Sequence, residues 1–98
     1  MFRYRVYRSQ QDTLLAATDE ELIGRSVSRG EVVVHISEQF YGTEVANEGE
    51  LRALLAECTV ANLMGKRCVG LASNLGLVSA KNVIDLDGIP HAQLARMR

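Results

Sequence analysis

Strict two-residue alternation opens this chain: Phe2, Tyr4 and Val6 interleave with Arg3, Arg5 and Tyr7. Successive side chains of a strand point to opposite faces, so the pattern predicts a strand with one apolar and one basic, aromatic face. Such a strand needs a partner. The polar run at residues 9–12 followed by residues 13–17 supplies one as an antiparallel hairpin. Thr18-Asp19-Glu20-Glu21 then has the residues of a capping box, and Leu22, Ile23 and Gly24 complete one short helical turn. Gly30 releases a third strand over residues 31–37, with Val32, Val34 and Ile36 on one face and Val33 and His35 on the other. Apolar bulk on both faces predicts an interior strand, in which His35 is partly buried and hydrogen-bonded.

The middle of the chain changes period. Asn47-Glu48-Gly49-Glu50 is a second capping box, and Leu51, Leu54, Leu55 and Cys58 follow at helical spacing. Beyond Thr59 the large apolar positions Val60, Leu63, Met64, Leu71 and Leu75 fall about half a turn out of phase at ~100° per residue. A break near Thr59 between two helices explains the shift. The alternative is one long helix whose Ala61, Gly65, Cys68 and Ala72 form a small-residue stripe. Gly76 is placed to cap the second helix, and a hairpin spans residues 82–97 around Asp87-Gly88.

The register of that hairpin decides which polar groups meet. A two-residue loop would pair Leu86 with Ile89 and Ile84 with His91, putting the apolar alternation of the two strands in conflict. A three-residue loop, Asp87-Gly88-Ile89, places Ile84 and Leu86 on the face of Pro90, Ala92 and Leu94. Asp85 then lies opposite His91, with Gln93 beside them. A carboxylate facing an imidazole can fix its tautomer and serve as an acid–base or anion-binding element. The expected polar site is therefore Asp85, His91 and Gln93, joined by Asn62, Lys66 and Tyr41 from neighbouring elements. A second candidate is the basic face of the first strand. There Arg3, Arg5 and Tyr7, with Arg8 at the strand end, suit phosphate contact and base stacking. Phe40 and Tyr41 are adjacent and cannot easily face one core, so one of them is expected at the surface.

Other chemistries find no footing. Gly65-Lys66 lacks both the earlier glycine and the hydroxyl residue of a phosphate loop, since Val60 and Arg67 occupy those positions. Cys58 and Cys68 lack metal spacing and read as buried, unpaired thiols. No cofactor, metal or catalytic residue is indicated. A net charge of −1 over 98 residues requires any nucleic-acid partner to use a local basic patch. No apolar run is long enough for a signal core or membrane span, so a cytoplasmic protein without a membrane partner is expected.

Asp19-Glu20-Glu21-Leu22-Ile23-Gly24, Phe40-Tyr41-Gly42 with Glu44, residues 59–66 and residues 82–93 together resemble a family of small archaeal proteins known as domain of unknown function 424. The likeness runs in order over nearly the whole chain. It implies a stand-alone cytoplasmic module, loosely linked to RNA and translation, and carries no catalytic residues. The reading is one α+β domain over residues 1–98. An antiparallel sheet from the N-terminal and C-terminal hairpins plus a central strand is covered by two helices. The module would bind RNA or a ribonucleoprotein; the alternatives are a small-molecule-binding protein or small enzyme using Asp85, His91 and Gln93, and a protein-interaction subunit that pairs with another protein or with itself.

Overall fold

The opening alternation does form a strand. In the computed structural model, which describes residues 1–96, β1 (Phe2–Arg8) pairs antiparallel with β2 (Thr13–Asp19) along its whole length. Met97, the last residue assigned above to the C-terminal hairpin, lies outside the described residues. The chain then runs through a 3-10 turn (Glu20–Leu22), β3 (Ser26–Arg29), β4 (Val32–His35), the four-residue α1 (Glu38–Tyr41), β5 (Glu44–Ala46) and α2 (Glu48–Glu57). It continues with β6 (Val60–Met64), α3 (Lys66–Asn74), a 3-10 turn (Ala80–Asn82), β7 (Val83–Leu86) and β8 (Ile89–Ala95). Six strands form one sheet in the order β5-β1-β2-β6-β8-β7, and β3 and β4 form a separate two-stranded hairpin. The fold is α+β. Every pair in the large sheet is antiparallel except β2 with β6.

Both faces of the sheet are covered. On one, Phe2, Leu15, Ala17, Ala61, Leu63, Ala92 and Leu94 pack against α2 and α3 through Leu51, Leu55, Cys68 and Ala72. On the other, Ala16, Met64 and Leu86 pack against Leu22, Val27, Ile36 and Tyr41, brought by the β3–β4 hairpin and α1. The capping box of Asn47 and Glu50 starts α2. Arg96 closes its other end, donating to the carbonyls of Leu55, Ala56 and Cys58 at 2.7, 2.8 and 3.2 Å. Gly76, at φ +76°, ends α3: its N–H bonds the Ser73 carbonyl and that of Leu77 bonds the Ala72 carbonyl, as a helix with a left-handed terminal residue requires.

Several expectations are corrected. Residues 59–64 are not part of a helix: β6 separates α2 from α3. It alternates Ala61 and Leu63 with Asn62 and Met64 between two covered faces, and a short apolar run buried on both sides cannot be told from a helix by period alone. The strand expected over residues 31–37 is only Val32–His35. It lies outside the large sheet, with Val32 61% and Val33 68% exposed and His35 on the surface, where Nδ1 lies 3.1 Å from Ser26 Oγ. Thr18 caps nothing, because Thr18 and Asp19 still belong to β2 and the 3-10 turn has no side-chain cap. The last hairpin has the two-residue turn Asp87-Gly88, both residues at positive φ, and pairs Leu86 with Ile89, Asp85 with Pro90 and Ile84 with His91. The apolar conflict that favoured three residues disappears because both faces of β7 and β8 meet a core.

Candidate functional site

The basic, aromatic face of β1 points to the side of the sheet that α1 crosses. A Cβ on Gly42 would lie 2.2 Å from the Tyr4 carbonyl oxygen, so only glycine, here at φ +88°, lets the chain leaving α1 press onto β1. That approach sets Phe40 beside Tyr7, the rings stacked with centroids 5.8 Å apart and 24° between planes. The Tyr7 hydroxyl donates to the Phe40 carbonyl at 2.7 Å, and the Arg5 guanidinium lies 5.2 Å from the Tyr7 ring centre. Arg5 also donates to the Gln39 carbonyl at 2.9 Å. Arg3 is half-buried and paired with Glu38 at 2.6 Å, which neutralises its charge.

Of the adjacent aromatics, Phe40 is 37% exposed and Tyr41 3%, one surface ring and one core ring in edge contact at 4.9 Å. Burial pushes the Tyr41 phenol well above its ordinary value, so it stays protonated and donates to Asn62 Oδ1 at 3.1 Å. Asn62 on β6 is the direct cross-strand neighbour of Gln93 on β8. His91, two residues along, shares that face. Its Nδ1 lies 2.9 Å from the Leu63 carbonyl oxygen; a carbonyl only accepts, so Nδ1 carries the proton. In the neutral ring Nε2 is left as the acceptor. His91 and Gln93 line a shallow depression of about 350 Å³ with Lys81, Asn82 and Ile84.

Seven of the ten predicted site residues thus share one sheet face: Arg3, Arg5, Tyr7, Tyr41, Asn62, His91 and Gln93. The other three do not. Asp85 pairs with Pro90 and points to the helical side, where it and Lys66 line a groove with Val69, Gly70 and Ser73. Arg8 falls on the even-numbered side of β1 at the exposed strand end. The expected Asp85–His91 pair does not exist, and with it goes the acid–base element that the three-residue loop would have made. Lys81 and Asn82 carry no signal in the sequence, because they sit in the 3-10 turn leading into β7, which no apolar period marks.

Both cysteines are buried free thiols, as expected. Among the described residues no three histidine, cysteine or acidic side chains cluster as a metal site. No helix among them is long and apolar enough to cross a membrane.

A family model described as a protein of unknown function (DUF424) matches residues 7–97. No curated protein matches the chain. A crystal structure of an uncharacterized conserved protein from Methanopyrus kandleri is similar, with a TM-score of 0.78 and 21% identity over 99% of this chain and 94% of that one. Identity of that order speaks to the fold alone.

Proposed function

This chain belongs to the DUF424 family of proteins of unknown function, and from that premise we propose that it is a cytoplasmic binding module for single-stranded RNA or a ribonucleoprotein. The observation that carries the reading is the surface stack of Arg5, Tyr7 and Phe40, in which an exposed ring is held flat beside a second ring that lies next to a cation. Aromatic faces accept any base by stacking, and a guanidinium next to them meets the phosphate that follows. Phe40 would stack the base and Arg5 would meet the phosphate, while Arg8, on the other side of β1, does not join them. Arg3 leaves that set because Glu38 already holds it. Asn62, Gln93 and His91 extend the same face with amide and imidazole groups able to hydrogen-bond base edges.

The test is fluorescence anisotropy with short single-stranded RNA at low salt. Phe40→Ala is expected to weaken binding about 5- to 150-fold, since stacking one base contributes roughly 1–3 kcal/mol. Arg5→Ala should reduce the slope of log affinity against log salt by about 0.7, the share of one phosphate on a single strand. No affinity at low salt, or affinity unchanged in the Phe40→Ala protein, would overturn the reading. A small ligand in the His91 depression would show as RNA-independent perturbation of His91 and Gln93 resonances.

A further inference from the structure

We propose that the free edge of β7 pairs antiparallel with β7 of a second copy of this chain, with Ile84 on the two-fold axis. This proposal does not rest on RNA binding. β7 is a terminal strand of the large sheet. Its ladder to β8 determines which of its peptide groups face outward. In a hairpin closed by a two-residue turn, the flanking pair Leu86 and Ile89 exchanges hydrogen bonds, the next pair does not, and Ile84 with His91 does again. The middle pair, Asp85 with Pro90, is where a residue without an N–H costs nothing, and the Pro90 carbonyl indeed turns the other way to accept from Gly65 N at 2.9 Å. The peptide groups of Asp85 and the carbonyl of Val83 therefore point out of the sheet. The Val83 N–H is held by the Ala80 carbonyl.

The pattern selects one register. Opposed residues of an antiparallel pair share a face, so a two-fold axis normal to the sheet must pass through a residue and not between two. Centred on Asp85, the pairing would set two carboxylates against each other. Centred on Ile84, it sets Val83 against Asp85 of the second copy, twice, and each outward Asp85 N–H meets an outward Val83 carbonyl. Ile84, 43% exposed on an edge strand, then meets its own counterpart in the non-hydrogen-bonded position, where side chains approach most closely. Beyond the strand, Lys81 in the preceding 3-10 turn of one copy comes near the Asp87 turn of the other, so each end of the pair brings together opposite charges. The other terminal strand, β5, begins with Glu44 and is followed by Glu48, so it offers Asp85 no opposite charge. An Ile84-centred pair keeps the two sheet faces in register across a continuous sheet. Ile84 is also a wall of the depression containing Lys81, Asn82, His91 and Gln93, so the two depressions come to lie on either side of the axis.

Sedimentation equilibrium of the full chain, over a wide concentration range, tests this. A monomer–dimer equilibrium is expected. Ile84→Asp should shift it to monomer. Asp85→Pro should do the same while leaving the β8 ladder whole, because only an outward N–H is lost. Lys81→Glu should weaken the dimer at least several-fold, more so at low salt than at high salt. Far-ultraviolet circular dichroism of each variant checks that the sheet persists. A monomer at all concentrations, species larger than a dimer that grow through β5, or a dimer unmoved by both Ile84→Asp and Asp85→Pro would overturn the proposal.

Discussion

The carboxylate of Asp19 stands 2.8 Å from the backbone nitrogen of Cys68, although 49 residues separate the two in the chain. With its other oxygen it accepts from Arg67 N at 3.1 Å, so the last residue of β2 caps α3 from across the fold. The N-cap position itself is Gly65, at φ +107°, and a Cβ there would lie 2.4 Å from Asp19 Cγ. The missing side chain is the space the carboxylate fills. Arg67 reaches back to pair with Glu21 and to lie over the Phe2 ring, closing the clasp from outside.

Asp19→Ala should therefore destabilise the protein by about 1–2 kcal/mol, as loss of a helix N-cap does. A pH series adds a sign. Desolvation raises the Asp19 carboxyl above 3.8 in spite of its two amide donors. A carboxyl raised by folding adds stability in full below its unfolded value and loses that share as pH climbs through the folded one. Subtracting Asp19→Asn urea midpoints from those of the wild type should give a difference that falls as pH rises above 3.8; a rising difference would contradict the burial account.

Gly42 and Gly76 both have positive φ, yet only Gly42 is pressed against a backbone oxygen. Gly76→Ala should cost about 1–2 kcal/mol, the ordinary left-handed penalty. Gly42→Ala adds a steric clash in a region of φ and ψ that only glycine populates, and should cost at least twice as much. Equal thermal shifts for the two variants would show that the seat of α1 on β1 is loose.

Arg96 holds three carbonyls at the C-terminal end of α2. A guanidinium spans them as a fork, where an ammonium is a single point. Arg96→Ala should lower stability by about 1–2 kcal/mol, with Arg96→Lys recovering only part. Hydrogen exchange read at the last turn of α2 would localise the effect; unchanged exchange there would refute it.

Burial pushes the Cys68 thiol up to about 12 and raises Cys58 as well. Thiolate is the reactive species. Neither cysteine should react with a thiol reagent in the native protein at neutral pH, and both should react in urea. Rapid native labelling of Cys68 would mean that α3 opens far more often than its packing implies.

The elements carried by strong local chemistry are readable from sequence: β1 from alternation, β2 from the polar turn before it, α2 from its capping box, and the position of the last turn from Asp87-Gly88. What failed did so for stated physical reasons. β6 is apolar toward two covered faces and has no period of its own. A three-residue loop in the last hairpin follows only if one face meets solvent, and cores on both sides remove that premise, reversing Asp85. Apolar character alone makes Val32 and Val33 look interior, yet the tertiary structure leaves both on a small outlying hairpin. Asp19 has the sequence surroundings of a local cap, and no local rule reveals that its helix lies 47 residues further on.

The strand order has a kinetic corollary. Among the described strands β8 comes latest in the chain and lies between β6 and β7, and the β2–β6 pair bridges residues as far apart as Leu14 and Val60. While the chain emerges during synthesis, β6 has an uncovered side, and neither strand that will cover it directly or through β8 can assemble until β8 is free to move. Contacts of such long sequence separation slow folding and expose unpaired strands in the interval. The half-made chain should therefore be more prone to sticking than the finished one.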